Sequence, residues 1–170
     1  FNHIYSDFGG NYRLCCHASP HDNPLEKYNS NDHLPFDVFL SPEYENVRNK
    51  MMSGELLETC KGCYYLEEIG QKSPRQNYNS YSEILLEPKS VDVKLRIFGN
   101  SCNLSCYMCT AYSSSTRAKE LKEIGIDQEW NRWDQTYSVK QNPKKYHLAI
   151  NNILDNIDMI GSFHITGGEP

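Results

Sequence analysis

The sequence predicts an α/β fold in which a parallel βαβ unit follows a small, loop-rich α+β unit. Residues 91–98 alternate apolar and charged side chains, which is the pattern of a half-buried strand. Residues 163–166 form a second segment of strand character, and helical patterns lie between the two. Strands joined by a helical crossover form a parallel pair, and its functional end is the carboxyl edge of the strands.

The first predicted unit covers residues 1–88. Two short strands, at 2–5 and 12–16, surround a glycine turn and predict a β-hairpin. Residues 17–35 are rich in Asn, Asp, His and Pro, which predicts a loop. Three helices are predicted, at residues 41–53, 64–68 and 73–85. Ser-Pro pairs mark the beginning of the first and third helices, and a Gly or Pro residue follows the end of each. Because this unit has few large apolar residues, a bound metal would help to stabilise it.

The second predicted unit covers residues 89–170. Its crossover contains one predicted helix at 113–124 and another at 142–157, which opens on an Asn-Pro pair. The chain begins with Phe1 instead of Met, and it ends in a turn that should lead into a further helix and strand. We therefore expect a fragment that is truncated at both ends.

The composition limits the classes of function. The chain has 170 residues, of which 38% are hydrophobic, and no stretch resembles a transmembrane span or a signal peptide. The 17 Lys and Arg residues are outnumbered by 22 Asp and Glu residues, which gives a net charge of -5. Such a balance lacks the basic surface of a nucleic-acid-binding protein. The sequence therefore predicts no membrane and no nucleic-acid partner.

The seven cysteines fall into three groups, which are Cys15 with Cys16, Cys60 with Cys63, and the triplet Cys102, Cys106 and Cys109. An odd number of cysteines without a secretory signal argues against a disulfide framework. Clustered thiols of this kind point to metal or redox chemistry in a reducing compartment. We therefore expect a cytoplasmic protein that works where oxygen is scarce.

The triplet has the spacing C-x3-C-x2-C in the segment 99–109, directly after the first predicted strand. Three thiolates leave one position of a metal site open, and an open position can bind a small molecule. Two other interpretations remain: three small residues on a buried helix face, or a zinc site completed by Cys60 and Cys63 or by a histidine. Gly99, Asn100 and the neighbouring serines favour a turn over a helix interior.

A Gly-Gly-Glu-Pro segment, residues 167–170, follows the second predicted strand. Gly167 and Gly168 suit a turn in which the backbone approaches a ligand closely, and Glu169 offers a charge to a ligand ammonium group. The alternative is an ordinary turn that ends at Pro170.

Together and in this order, the cysteine triplet and the Gly-Gly-Glu-Pro segment resemble the radical S-adenosylmethionine (SAM) superfamily. The resemblance implies a partial (βα)6 TIM-like barrel, of which this chain holds the first βαβ unit. It also implies that Cys102, Cys106 and Cys109 bind a [4Fe–4S] cluster whose open iron chelates the amino and carboxylate groups of SAM. The reduced cluster then cleaves SAM to a 5'-deoxyadenosyl radical, which abstracts hydrogen from a substrate.

The resemblance assigns further roles near the cluster. Residues 167–170 would hold the amino group of SAM, and Met108 takes the place of an aromatic residue that packs near the adenine. An external electron donor such as flavodoxin or ferredoxin and a peptide or small-molecule substrate are the implied partners. The fragment itself is expected to be inactive. The alternative is a non-enzymatic iron–sulfur electron-transfer or zinc-binding module.

The pattern Gly10-x4-Cys15 followed by Cys60-x2-Cys63 resembles the auxiliary-cluster region called SPASM, or its shorter form, the twitch domain. The resemblance implies an auxiliary [4Fe–4S] cluster in the first unit. The family pattern has a further cysteine upstream, so that ligand either precedes Phe1 or is replaced by Cys16. A thioredoxin-type redox pair and a zinc knuckle are the alternatives for Cys60 and Cys63.

Overall fold

The computed structural model describes residues 2–81, 90–96, 99–111, 113–126 and 143–166, which contain both helices and strands. The elements in chain order are β1 (His3–Ser6), β2 (Tyr12–Arg13), α1 (Pro35–Phe39), α2 (Pro42–Met52), α3 (Lys61–Glu68), α4 (Pro74–Tyr81), β3 (Val91–Leu95), α5 (Ser115–Glu123), α6 (Pro143–Leu154) and β4 (Ile160–Ile165). Short 3₁₀ turns precede α3, at Glu58–Cys60, and β4, at Ile157–Met159.

The four strands form one mixed sheet in the order β2-β1-β3-β4. β1 and β2 pair antiparallel, which confirms the predicted hairpin. β3 and β4 pair parallel, which confirms the predicted strand pair. β1 also pairs parallel with β3, so a strand of the first predicted unit shares a sheet with strands of the second. The division into two units at residues 88 and 89 stays a prediction. The partial barrel and the twitch-like unit also stay predictions, because the four strands of the described sheet identify neither of them.

One face of the sheet is apolar and carries the core. Ile4 of β1 and Val91, Val93 and Leu95 of β3 are each at most 2% exposed, and they pack with buried residues of α1, α2 and α6. Burying a side chain of this size stabilises the fold by about 1.5–3 kcal/mol relative to leaving it exposed. Helices α1, α2 and α6 therefore cover this face.

The opposite face of the sheet is polar, and we call it the polar face. In β3, Asp92 and Lys94 alternate with the buried Val91, Val93 and Leu95. Because neighbours along a strand point to opposite sides, Asp92 and Lys94 point to the polar face. The register with β1 and β4 places the side chains of the adjacent strands on the same side. The polar face consists of His3, Tyr5, Asp92, Lys94, Arg96, Ser162, His164 and Thr166.

The helices follow their local signals with some differences. Ser41 caps α2 by accepting a hydrogen bond from the amide of Tyr44, as its Ser-Pro start predicts. α3 begins at Lys61, earlier than predicted, so Cys63 lies inside a helix. The short helix α1 was not predicted, and it forms because Pro35 fixes its first turn while its aromatic side chains are buried.

Two other features concern the predicted limits of the elements. β2 ends at Arg13, so Cys15 and Cys16 lie in the turn that follows and not in a strand as predicted. The Gly-Gly-Glu-Pro segment at 167–170 lies outside the described residues. Within the described ranges, none of the helices has the length and apolar character needed to cross a membrane.

Candidate functional site

The carboxyl ends of β3 and β4 lie side by side. Leu95 pairs with Ile165 in the register of the two strands, and the amide of Thr166 donates a hydrogen bond of 3.0 Å to the carbonyl of Leu95. The segment with the three cysteines follows β3 at this edge, and residues 167–170 follow β4. Both motifs singled out from the sequence thus follow neighbouring strand ends along the chain.

The segment 99–110, which we call the thiol loop, is anchored on the first turn of α5. The hydroxyl of Ser115 accepts a 3.1 Å hydrogen bond from the amide of Cys102, and the hydroxyl of Thr116 donates one of 2.5 Å to the Cys102 carbonyl. Ser114, the N-cap of α5, donates to the carbonyl of Leu104 at 2.9 Å. The helix start therefore fixes the backbone around the first thiol.

The three thiols of the loop differ in exposure. Cys102 and Cys109 are partly buried, whereas Cys106 is exposed. The amide of Leu104 donates to the sulfur of Cys102 at 3.4 Å. Met108 is 93% exposed, so its side chain is accessible to a ligand.

The thiols of the thiol loop are of the donor type that binds either zinc or an iron–sulfur cluster. Among the described residues, no group of three His, Cys, Asp or Glu residues is arranged to hold a metal ion. A single ion needs ligands that converge on one point, whereas each thiolate of a [4Fe–4S] cluster binds a different iron.

Cys15 and Cys60 lie close together on the side of the core. The amide of Ser19 donates to the carbonyl of Thr59 at 2.8 Å, and the Thr59 hydroxyl donates back to the Ser19 carbonyl at 3.0 Å. These bonds join the turn after β2 to the start of α3. Both thiols pack against the hydrophobic core, and Cys63 is buried in α3.

Electrostatic effects reflect this proximity. Burial raises the pKa of Cys15 to about 11, and the thiols of Cys16 and Cys60 add smaller contributions in the same direction. Burial also raises the pKa of Cys60, with Cys63 as the next contributor. Cys15 thus lies near Cys60, and Cys60 lies near Cys63, and we call these three residues the second thiol group.

Cys16 has a different environment. It shares a hydrogen bond with the hydroxyl of Tyr78 in α4, whose pKa is raised to about 12 by burial first and by the Cys16 thiol second. The Tyr78 ring meets the ring of His3 edge to face, with 5.7 Å between the ring centroids. Cys16 therefore belongs with the aromatic residues beside the polar face.

Sequence reasoning missed the residues that surround the thiol groups. Arg75 forms an ion pair with Glu67 and lies over the ring of Tyr64, 5.3 Å from its centroid. The amide of Leu57 donates to the Tyr64 hydroxyl at 3.3 Å, close to Cys60. The Ser-Pro-Arg sequence at the start of α4 predicts the helix. The ion pair between Arg75 of α4 and Glu67 of α3 depends on tertiary packing, so the sequence could not predict it.

Comparisons of the chain with protein-family models, with curated proteins and with solved structures found no match.

Proposed function

We propose that this chain is part of a radical SAM enzyme, which binds SAM on a [4Fe–4S] cluster and begins its reaction by abstracting hydrogen from a peptide or a small molecule. The observation that carries the proposal is the pairing of Leu95 with Ile165 at the carboxyl edge of β3 and β4. The thiol loop and residues 167–170 follow these two strand ends. Ligands of α/β folds bind at this edge of parallel strands.

In this proposal, Cys102, Cys106 and Cys109 each bind one iron, and a fourth iron remains free for SAM. When bound, the reduced cluster supplies the electron that cleaves SAM to a 5'-deoxyadenosyl radical. The remaining tasks fall to the chain. Met108 packs against the adenine, and residues 167–170 hold the amino group of SAM with a carboxylate opposite the ammonium.

The second thiol group supports an auxiliary [4Fe–4S] cluster on Cys15, Cys60 and Cys63. The partial burial of Cys15 and Cys60 and the burial of Cys63 would shield a bound cluster from solvent, and solvent exposure is one of the properties that set its reduction potential. Cys16 is not a ligand in this proposal, because its hydrogen bond with Tyr78 directs it elsewhere. A cytoplasmic electron donor such as flavodoxin or ferredoxin would reduce the clusters.

Anaerobic reconstitution with iron and sulfide tests this proposal. Two [4Fe–4S] clusters give about eight iron atoms per chain, with an equal amount of acid-labile sulfide. Adding SAM should change the electron paramagnetic resonance spectrum of the reduced cluster, because SAM binds directly to the free iron. Zinc binding without sulfide uptake would contradict the proposal and favour a zinc-binding module. Two clusters that do not respond to SAM would favour an electron-transfer module.

Cysteine variants assign the clusters to the two thiol groups. Cys106→Ala should remove about four irons and the response to SAM, and this exposed position leaves folding intact. Cys63→Ala is the reciprocal variant, which should lose about four irons and keep the response. Loss of both clusters in Cys106→Ala would show a single shared site and contradict the two-cluster assignment.

A further inference from the structure

Several buried polar atoms have no hydrogen-bond partner among the described residues. These atoms are Nε of Arg96, both side-chain polar atoms of Asn100, the hydroxyl of Thr166 and Nε2 of His3. Leaving a buried donor or acceptor unpaired costs about 1–3 kcal/mol, so native proteins pair almost all of them with protein groups, water or ligands. Three of the four residues lie at the carboxyl edge of β3 and β4.

The fold fixes the positions of these three residues. Leu95 pairs with Ile165, so the next residues, Arg96 and Thr166, are neighbours on the polar face. Asn100 follows four residues after Arg96, in the thiol loop, and it is fully buried. Its carbonyl accepts a 2.8 Å hydrogen bond from the amide of Ser115 in α5. The three unpaired groups therefore come from one edge of the sheet.

Arg96 is held in place by its own neighbours. Its amide donates to the hydroxyl of Ser6 at 3.1 Å, and its guanidinium lies over the ring of Phe8, 3.8 Å from the ring centroid. The guanidinium is always charged and presents donors in a rigid planar fork, the geometry that binds carboxylates with two parallel hydrogen bonds. A fixed guanidinium with an unpaired Nε is thus prepared for an acceptor.

Two carboxylates near the strands that carry Arg96 have other partners. Asp7, which like Arg96 lies near Tyr5, forms an ion pair with Arg13. Asp92 lies at the other end of β3, where it accepts a hydrogen bond from Ser162. Lys94 adds a second positive charge on the same face.

We propose that Arg96, Asn100 and Thr166 form a binding site for a small carboxylate-bearing ligand. Arg96 and the Thr166 hydroxyl donate to the carboxylate oxygens, and the Asn100 amide offers two donors and one acceptor to the neighbouring polar groups of the ligand. The site does not need a cluster. The identity of this ligand rests on the proposed function. In that function the cluster iron binds the carboxylate of SAM, so the carboxylate at Arg96 belongs to a second molecule. We assign that molecule as the substrate.

Nuclear magnetic resonance of the reduced, metal-free chain tests the site directly. The Nε–H signal of Arg96, assigned by its absence in Arg96→Met, should shift in a saturable way with sodium acetate and not with sodium chloride at equal ionic strength. Acetate should bind at least about ten-fold more weakly to Arg96→Met and to the nearly isosteric Thr166→Val, as expected for the loss of a hydrogen bond to a charged group. Backbone amide signals report binding in the variants.

Arg48→Met is the matched control. Arg48 also stacks on aromatic rings, 4.2 Å from the centroid of Phe39 and 4.4 Å from that of Tyr44, but it belongs to α2. This variant removes the same charge and should bind acetate like the unchanged chain. An unsaturable acetate response, equal weakening in Arg48→Met, or tighter binding of inorganic phosphate or SAM than of acetate would each overturn the proposal. Failure to assemble a cluster would affect only the proposed function.

Discussion

The amide of Thr166 and the carbonyl of Leu95 are joined by a hydrogen bond of 3.0 Å, which links the ends of two parallel strands. This bond sets the spacing between the chain segments that leave β3 and β4. In the proposed function, the thiol loop and residues 167–170 serve the same ligand. In the proposed enzyme, this one contact relates the cluster to the segment that holds SAM.

The N-cap of α5 offers a test of how the thiol loop is supported. Ser114 accepts a hydrogen bond of 3.2 Å from the amide of Arg117 and donates one of 2.9 Å to the carbonyl of Leu104. Ser114→Ala removes both bonds, so we expect the free energy of unfolding to fall by about 1–2 kcal/mol. We also expect the iron content of the reconstituted chain to fall, because the loop loses a support. Urea denaturation and iron analysis measure the two effects.

Ser41 provides a matched control for this prediction. It also caps a helix, with a 3.3 Å bond from the amide of Tyr44, and it also donates to a preceding carbonyl, that of Val38, at 2.6 Å. Ser41→Ala should therefore destabilise the fold to a similar extent while the thiol-loop cluster keeps its iron. Equal iron loss in both variants would mean that global stability, and not the loop anchor, controls the cluster.

Local signals made part of this structure predictable. The alternation in residues 91–98 defines β3, and Ser41 with Pro42 defines the start of α2, because each depends only on neighbouring residues. The parallel pairing of His3 with Asp92 could not be predicted, since it joins residues far apart in sequence and a four-residue strand carries no information about its partner. The sheet order therefore needed the structure.

The candidate sites show the same limit. The glycine, asparagine and serine residues around the cysteine triplet predict a loop after β3, and the structure has that loop. The different environments of Cys15 and Cys16 depend on the exact end of β2, which sequence signals place too late. The unpaired groups of Arg96 and Thr166 were also missed. Alternation did put Arg96 opposite the core, but the absence of a partner is a tertiary property.

The contrast between Cys15 and Cys16 gives a further prediction. Cys15 interacts with Cys60, whereas Cys16 shares a hydrogen bond with Tyr78. Cys15→Ala should therefore abolish the auxiliary cluster and lower the iron content by about four atoms per chain. Cys16→Ala, which also removes one thiol from the same turn, should keep most of that iron. Iron loss in Cys16→Ala with retention in Cys15→Ala would exchange their roles and contradict the grouping.

The buried ring of His3 predicts a dependence of stability on pH. Burial lowers the pKa of His3 from 6.5 to about 4, and the opposing effect of Asp92 is smaller. Between these values the unfolded chain binds a proton that the folded chain does not. The contribution to stability is therefore present above pH 6.5 and is lost as the pH falls toward 4, by up to about 3 kcal/mol in total.

His3→Phe tests this contribution. The substitution keeps an aromatic ring beside Tyr78 and removes the group that titrates. Urea denaturation of the reduced, metal-free chain at several pH values should show a smaller loss of unfolding free energy between pH 6.5 and 4 than in the unchanged chain. His147→Gln, at an exposed position of α6, should keep the full dependence. If His3→Phe and the unchanged chain lose stability in parallel, other groups cause the acid sensitivity.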